Sequence, residues 1–180
     1  GYYVDTTAST SQTACAAGTY QPDTSQSSCD DADAGYYVDT TASTSQTACA
    51  AGTYQPDTSQ SSCDDADAGY YVGSTAQTSQ TACSAGSYNP ITGSISSAAC
   101  LDADAGYYVP STGQPTQTAC AAGTYQPDTG QQSCDNAGRG YYVDTTASTS
   151  ENECAAGTYQ PDFGQSSCLD ADAGHYVDET

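Results

Sequence analysis

The stretch QTACAAGTYQPDTSQSSC, residues 12–29, returns letter for letter at 46–63 and as a close variant at 117–134. A fixed period near 34 residues is the signature of a repeat array. Apolar residues show no 3.6-residue spacing, and the abundant Thr, Ser, Gly and Asp are poor helix formers, so helical repeats are excluded. The sequence predicts the identical repeats 1–34 and 35–68, the looser repeats 69–105, 106–139 and 140–173, and the start of a further repeat at 174–180.

A shorter period lies inside each repeat. The motif G-x-Y, usually preceded by Ala, recurs with a step of 17 residues, except for one step of 20 in the third repeat. The runs GYYV and GTYQ are β-prone, whereas DTTAST and PDTSQ carry the turn-forming residues Pro, Asp, Ser and Thr. We therefore predict one short β-hairpin in each 17-residue half-unit, beginning at Gly1, Gly18, Gly35, Gly52, Gly69, Gly86, Gly106, Gly123, Gly140, Gly157 and Gly174.

The composition limits the kind of core that this chain can build. Leu, Ile, Val and Phe number only 11 in 180 residues, and the net charge is -21. Such a composition usually means disorder. The ten Cys and sixteen regularly placed Tyr favour order through repetition instead. We predict an all-β, disulfide-stapled tandem repeat, an elongated rod of short hairpins without a large hydrophobic core.

The charge also restricts the partners. With 22 acidic groups and one basic side chain, the surface repels nucleic acid and anionic membranes. No run of about 20 apolar residues exists, so we expect no membrane insertion in this segment. Because the sequence contains no Met, we expect a processed chain or a segment of a longer one.

The Tyr residues are predicted to be the main packing residues. Each ring would stack on its neighbour in the next hairpin, with the hydroxyl in water. A carbohydrate-binding platform and plain surface aromatics are the alternatives. The predicted stacking residues are Tyr20, Tyr37, Tyr54, Tyr71, Tyr88, Tyr108, Tyr125, Tyr142, Tyr159 and Tyr176.

The even number of Cys in a chain with so little core indicates disulfides and an oxidising compartment. We therefore expect an extracellular or cell-surface location. Two pairing schemes compete, one within the repeat (Cys15–Cys29) and one across the joint (Cys29–Cys49). Three extra residues between Cys83 and Cys100 favour the first, because a hairpin tip tolerates insertions. The ten residues are Cys15, Cys29, Cys49, Cys63, Cys83, Cys100, Cys120, Cys134, Cys154 and Cys168.

The pattern C-x-x-G-T-Y followed by a turn and S-S-C resembles the cysteine-rich modules of ephrin-receptor-like and TNF-receptor-like repeats. Cys15 to Cys29 fits it, and the motif recurs at Cys49, Cys120 and Cys154. The resemblance implies an extracellular, elongated protein in which the Cys before G-x-Y pairs with the next Cys. Those receptors have several disulfides in each module, whereas this chain has one. The near-identical repeats are more similar to the stalks of large surface or fibre proteins.

The acidic joints DDADAG are candidate calcium sites, because hard cations bind several oxygens. The residues concerned are Asp31, Asp33, Asp65 and Asp67. Diffuse attraction of cations and a merely solvated acidic face are the alternatives, and we expect no other cofactor and no firm metal site. The fourth joint, residues 135–139, loses acid and gains Arg139.

The loops are rich in Ser and Thr, which in an extracellular repeat predicts O-glycosylation. The alternative is that these hydroxyls satisfy turns and strand edges. The candidate acceptors are Thr6, Thr7, Ser9, Thr10, Thr40 and Thr41.

No set of residues indicates catalysis. His175 is the sole His and stands where other repeats have Tyr, and no Ser/His/Asp set or Gly-rich phosphate loop occurs. We therefore expect no enzyme. The sequence favours an extracellular structural protein, a filament or surface stalk that contacts copies of itself end to end or laterally, with glycans as further partners. A receptor-like or adhesin binding module is the alternative.

Overall fold

The computed structural model describes residues 1–174, which form ten antiparallel two-stranded hairpins. Residues 1–174 contain no α-helix, and one 3₁₀ turn spans Ser97–Ala99. Hairpins 1 to 10 are numbered in chain order, each pairing two consecutive strands. The strands are β1 (Tyr2–Tyr3), β2 (Thr13–Ala14), β3 (Thr19–Tyr20), β4 (Asp30–Asp31), β5 (Tyr36–Tyr37), β6 (Thr47–Ala48), β7 (Thr53–Tyr54), β8 (Asp64–Asp65), β9 (Tyr70–Tyr71), β10 (Thr81–Ala82), β11 (Ser87–Tyr88), β12 (Leu101–Asp102), β13 (Tyr107–Tyr108), β14 (Thr118–Ala119), β15 (Thr124–Tyr125), β16 (Asp135–Asn136), β17 (Tyr141–Tyr142), β18 (Asn152–Glu153), β19 (Thr158–Tyr159) and β20 (Leu169–Asp170).

Each hairpin has a short ladder and a long tip. In hairpin 1, Tyr3 lies opposite Thr13 and Tyr2 opposite Ala14. The Cys15 N–H then donates to the Gly1 carbonyl at 2.9 Å, which adds one more rung. Because two strands of two residues are marginal in water, each hairpin depends on its neighbours for stability.

Every hairpin tip contains one residue with left-handed backbone, seven positions after the hairpin's first Gly. An Ala or Ser in this conformation costs about 1–2 kcal/mol, which Gly avoids. The residues are Ala8, Ser25, Ala42, Ser59, Ala76, Gly93, Gly113, Gly130, Ala147 and Gly164. The turn is therefore the same in all ten hairpins, although six of them use an L-residue there.

Two kinds of hairpin alternate. Odd-numbered hairpins, called type A, have Val three positions after the Gly and end in Cys. Even-numbered hairpins, called type B, have Gln or Asn in place of this Val and Ala in place of this Cys. These two positions form most of the core. The buried apolar residues are Cys15, Ala32, Val38, Cys49, Ala66, Val72, Cys83, Ala103, Val109, Cys120, Ala137 and Val143.

The described chain forms two compact units. One comprises Gly1–Ala82 with Ile91–Ala99, and the other Cys83–Pro90 with the chain from Cys100 onward. The three extra residues of the third repeat fall in the loop between β11 and β12, which also contains the 3₁₀ turn. They leave the pairing of Tyr88 with Leu101 equivalent to that in the other type B hairpins.

This architecture confirms the predicted all-β, disulfide-stapled array of short hairpins without a large hydrophobic core. The elongated rod stays a prediction. The core differs from the expectation that Tyr is the main packing residue. Val, Ala and Cys are the fully buried apolar residues, because they are small enough to fit between closely stacked backbones, whereas the Tyr rings reach the surface.

Candidate functional site

The contact between successive hairpins recurs along the chain. Where hairpin 2 meets hairpin 3, the Gly18 N–H donates to the Val38 carbonyl at 2.8 Å, and the Gln21 N–H donates to the Ser43 carbonyl at 3.0 Å. The Ala42 N–H donates to the Cys15 carbonyl at 2.8 Å. The same three bonds join hairpins 4 to 5, 6 to 7 and 8 to 9, and they also join hairpins 3 to 4, 7 to 8 and 9 to 10.

The first Gly of a hairpin also touches the left-handed turn two hairpins further on. A Cβ added to Gly52 would lie 2.5 Å from the Gly93 carbonyl oxygen. At Gly123 an added Cβ would overlap the carbonyl oxygen of Gly164. Gly is therefore required here both for its positive φ and for close backbone approach.

A buried Gln holds the tip of each regular type B hairpin. Gln55 is 4% exposed, and its Nε2 donates to the Ser62 carbonyl at 2.9 Å. Its Oε1 accepts a hydrogen bond from the Asp57 N–H at 3.1 Å. Gln21, Gln126 and Gln160 make the same pair of bonds. A buried amide with both ends bonded fixes a turn without leaving a costly unpaired group.

An Asp–Gln pair closes three of the joints between a type B hairpin and the next type A hairpin. The Asp67 N–H donates to Gln80 Oε1 at 2.7 Å, and Gln80 Nε2 donates to Asp67 Oδ2 at 2.6 Å. The same two bonds link Asp33 to Gln46 and Asp104 to Gln117. Asp33 and Asp67, two of the four candidate calcium ligands, are therefore bonded within these pairs.

The fourth joint replaces both members of this pair. Gly138 stands in place of the Asp, and its N–H donates to Glu151 Oε2 at 2.6 Å. Glu151 would face another carboxylate if the Asp were present, so the two exchanges compensate each other. The chain's sole cation, Arg139, lies 5.3 Å from the ring centroid of its sole Phe, Phe163. This distance is within the range for a cation–π contact.

Five disulfides link each type A hairpin to the type B hairpin that follows it. Each first Cys ends a type A hairpin, and each second Cys precedes the second strand of the next hairpin. Their Cα atoms are 5.6–5.8 Å apart, and no cysteine is free. The pairs are Cys15–Cys29, Cys49–Cys63, Cys83–Cys100, Cys120–Cys134 and Cys154–Cys168.

The four candidate calcium ligands do not converge. Asp31, Asp33, Asp65 and Asp67 are exposed. Within residues 1–174, no three His, Cys, Asp or Glu side chains come together as a metal site would require. Calcium binding at the acidic joints stays a prediction.

The Tyr residues line the surface of the hairpins, mostly half-buried. Those of the predicted stacking set are half-buried at Tyr20, Tyr37, Tyr54, Tyr71, Tyr88, Tyr108, Tyr125 and Tyr142, and exposed at Tyr159. Tyr176 and His175 lie outside the described residues. Stacking of one ring on the next stays a prediction.

Two of these rings stand near the acidic joints. Burial, followed by the negative charges of Asp67 and Asp64, raises the pKa of Tyr54 above its ordinary value. Burial, followed by Glu151 and Asp135, raises the pKa of Tyr125 in the same way. Both effects disfavour the tyrosinate form.

All six candidate glycan acceptors are exposed, and they lie in the loops of hairpins 1 and 3. Thr40 Oγ1 lies 3.0 Å from Ser43 Oγ, and Ser9 Oγ donates to the Ser11 carbonyl at 2.8 Å. Two of the six hydroxyls therefore also make local bonds of the kind that turns use. O-glycosylation stays a prediction.

The buried Gln, Val and Ala were missed by sequence reasoning, which concentrated on Tyr and Cys. A signal was present, since Val and Gln or Asn alternate strictly at the third position after each hairpin Gly, as at Val38 and Gln55. A position that holds only Val in one hairpin type and only Gln or Asn in the other, while loop residues differ between repeats, indicates a buried side chain.

These contacts define a class: a disulfide-stapled array of β-hairpins in which the same backbone bonds recur between successive hairpins. Residues 106–154, within hairpins 7 to 9, match the family model described as tyrosine-protein kinase ephrin type A/B receptor-like. No curated protein matches the chain. Residues 106–154 are therefore similar to a cysteine-rich ephrin-receptor-like module, a domain type common in extracellular and cell-surface proteins, and the five regularly spaced disulfides are consistent with this similarity. The described residues include no helix long and apolar enough to cross a membrane.

Proposed function

We propose that this chain is an extracellular structural segment, a surface stalk or filament subunit, with no enzymatic activity. The observation that carries the proposal is the recurrence of one contact set. The same three backbone bonds recur between successive hairpins, Asp–Gln pairs close three of these contacts, and a buried Gln holds the tip of each regular type B hairpin. In repeat arrays each unit contacts only its neighbours, so that added units give length.

The disulfides and the ephrin-receptor-like match support the extracellular location. A staple in every repeat suits a compartment where thiols stay oxidised. The exposed Ser and Thr of the loops would then carry O-glycans, and the high negative charge would keep such a surface soluble. Calcium at the acidic joints is a subsidiary part of this proposal.

Small-angle scattering tests the structural function directly. A compact globule of this length has a radius of gyration of about 16 Å. We expect a clearly larger value and a rod-like profile. Chains with one or two extra insertions of residues 35–68 should lengthen by equal increments, whereas a globule would grow only as the cube root of its mass. A compact value that hardly changes with added repeats contradicts the proposal.

A receptor-like or adhesin module is the second candidate function. The inserted loop of hairpin 6 favours it, since Ile91 and Ile95 are 63% and 62% exposed in a stretch without charge. If this loop binds a partner on a cell surface, beads coated with the chain should attach to cells that carry the partner. The double substitution Ile91→Ser with Ile95→Ser should then abolish attachment. The matched control is Thr58→Ser with Ser61→Thr in hairpin 4, which should leave attachment unchanged.

A further inference from the structure

The fourth joint carries the chain's sole basic side chain at an exposed position. Arg139 is the only Lys or Arg among the 180 residues, and it is exposed. The residues at the same place in three other joints are half-buried: Ala34, Ala68 and Ala105. Hairpins 7 and 8 precede the fourth joint and hairpins 9 and 10 follow it. The exposure of Arg139 is therefore a property of a joint that has described hairpins on both sides.

The sequence around Arg139 lacks the acidic character of the other joints. The second joint, residues 64–67, contains three Asp, whereas the fourth contains only Asp135, whose charge balances that of Arg139. Gly138 and Gly140 flank the Arg, so no carboxylate is adjacent to it in sequence. Trypsin-like serine proteases bind a cationic side chain in a pocket that contains an Asp. A neighbouring carboxylate would repel that pocket, and the fourth joint has none beside its Arg.

Among the described residues, no disulfide crosses the fourth joint. The bridges Cys120–Cys134 and Cys154–Cys168 lie on opposite sides of the Arg139–Gly140 peptide bond. Hydrolysis of this bond would therefore divide the chain into residues 1–139 and 140–180 without a covalent link between them. A cut inside either disulfide ring, in contrast, would leave the two pieces joined.

The Arg139–Gly140 bond lies in a turn while the joint is closed. The Tyr141 N–H donates to the Gly138 carbonyl at 3.1 Å, and the Gly140 N–H donates to the Gln160 carbonyl at 2.8 Å. A protease cleaves such a segment from its transiently open form, so that the rate follows the population of this form when opening and closing are fast. The exposed side chain marks the site, and opening of the joint makes the backbone available.

Opening is favoured at this joint because the pair that closes it is weaker. The Gly138 N–H donates one hydrogen bond to Glu151, and a Gly has no side chain to accept a second one. Asp67 and Gln80 share two such bonds. Arg139 also lies over a Phe ring, a contact that a protease pocket replaces with its own carboxylate.

We propose that the Arg139–Gly140 bond is a processing site, at which an Arg-directed serine protease separates repeats 1–4 from the following repeat. In this hydrolysis the oxygen of water bonds to the Arg139 carbonyl carbon, the C–N bond breaks, and the nitrogen leaves with a proton as the Gly140 amine. The hydrogen bonds across the joint then act between two molecules, so that dilution releases the second fragment. The inference goes beyond the proposed structural function and rests on it only for the extracellular setting of the protease.

Limited digestion of the folded, unreduced chain with trypsin, followed by mass spectrometry, tests the site. We expect one cut, and the fragments 1–139 and 140–180 should separate on gel filtration of a dilute sample. Arg139→Lys should keep the cut, and Arg139→Gln provides the uncut reference. The proposal is overturned if the unmodified chain resists trypsin as fully as Arg139→Gln does, or if the fragments stay together. Resistance in a chain with rod-like scattering overturns this site alone and leaves the structural function intact.

A second Arg in another joint distinguishes a specific site from any Arg at a joint. Ala68→Arg places the same side chain beside Asp67, in a joint that keeps its acidic residues and its Asp–Gln pair. In this variant the bond after position 68 should be cut about tenfold more slowly than Arg139–Gly140 in the same chain. Equal rates would mean that the fourth joint is not adapted for cleavage, and the proposal would fail.

A change at the partner of Gly138 tests the role of joint opening. Glu151→Ala removes the acceptor of the Gly138 N–H and leaves the cleaved sequence unchanged, so the rate should rise about five- to tenfold, as expected for loss of one hydrogen bond. Glu153→Ala removes an equal charge from an exposed position two residues away and should leave the rate unchanged. Equal effects of the two variants would show that charge and not opening limits the cut, against the proposal.

Discussion

Repeats 2 and 4 each begin two joints, one to the next hairpin of the repeat and one to the next repeat, that share the same backbone bonds but are closed differently. The joint from type A to type B carries a disulfide, such as Cys49–Cys63. The joint from type B to the next type A hairpin carries a polar pair, such as Asp67 with Gln80. The covalent joint tolerates a change inside its ring, whereas the polar joint changes only when both partners are exchanged together.

The inserted loop and the fourth joint show this difference. Three extra residues between Cys83 and Cys100 leave the Cα–Cα distance at 5.6 Å, against 5.8 Å elsewhere. Enlarging such a ring costs only about 0.2 kcal/mol of loop-closure entropy. Gly138 and Glu151, in contrast, replace an Asp and a Gln at once. A single exchange would leave two carboxylates in contact, or an amide without its acceptor.

Loss of the staples should have the largest effect. Cys49→Ala with Cys63→Ala opens a 15-residue ring, which lowers the free energy of unfolding by about 3 kcal/mol in the chain-entropy model. Reduction of all five bridges should unfold the chain, because so few aliphatic residues hold it together. Urea unfolding followed by circular dichroism measures both effects. Full structure after complete reduction would show that the polar joints suffice alone.

Replacing the first Gly of a hairpin, where two backbones approach closely, should cause the second-largest loss of stability. Gly123 and Gly157 occupy the same place in identical CAAGTYQ segments, and both have positive φ. Ala in this conformation costs about 1–2 kcal/mol at either position. Overlap with the Gly164 carbonyl adds about 1–3 kcal/mol at Gly123 alone, since no atom of residues 1–174 lies within 4 Å of a Cβ placed on Gly157.

Thermal unfolding of Gly123→Ala and Gly157→Ala separates strain from overlap. The first variant should lose more stability, and hydrogen exchange should increase in hairpins 8 to 10, because each unit depends on its neighbours. Equal losses would mean that positive φ alone explains the Gly and that the backbones yield to a Cβ.

The compensated exchange at the fourth joint should have a smaller effect. Gly138→Asp places a carboxylate against Glu151 and should cost about 1 kcal/mol, the scale of exposed charge pairs. Glu151→Gln in the same chain should restore stability, because it recreates the pair seen at Asp67 and Gln80. A double-mutant cycle by urea unfolding gives the coupling energy. Additive effects would show that the two positions vary independently.

The hairpins and staples are predictable from the sequence because their signals are local. Gly, Pro and Asp mark turns within a few residues, and the irregular spacing of Cys83 and Cys100 by itself favours pairing within the repeat. The resemblance to ephrin-receptor-like repeats indicates the same pairing. Period and turn chemistry therefore suffice for the class of fold.

The joints are not predictable from the turn signals, because their partners belong to different hairpins. Gly52 meets Gly93 two hairpins further on, and Asp67 bonds Gln80 of the next hairpin, so no signal within a single hairpin indicates either contact. Burial also depends on neighbours, as the different exposure of Val4 and Val38 in identical sequence shows. Ring size favours Tyr over Val as the packing residue, but the buried apolar residues are Val, Ala and Cys, and the Tyr rings reach the surface.

The smallest effect concerns Tyr54, which lies at a polar joint. Burial and, after it, Asp67 and Asp64 raise its pKa above the ordinary value of 10.0. A raised pKa in the folded state means that the stabilisation is complete below pH 10 and is lost as pH rises through the folded pKa. Stability should therefore fall on the alkaline side, and less steeply in Tyr54→Phe, which cannot ionise.

Absorbance at 295 nm measures this ionisation, and the difference between the unmodified chain and Tyr54→Phe isolates the one ring. The midpoint should lie above pH 10. Asp67→Asn should lower it only in part, because burial is the larger cause and remains in that variant. Asp23→Asn is the control, since it removes an equal charge in hairpin 2. A midpoint at or below 10 would mean that water reaches Tyr54 freely, and the polar joint would then be looser than its hydrogen bonds indicate.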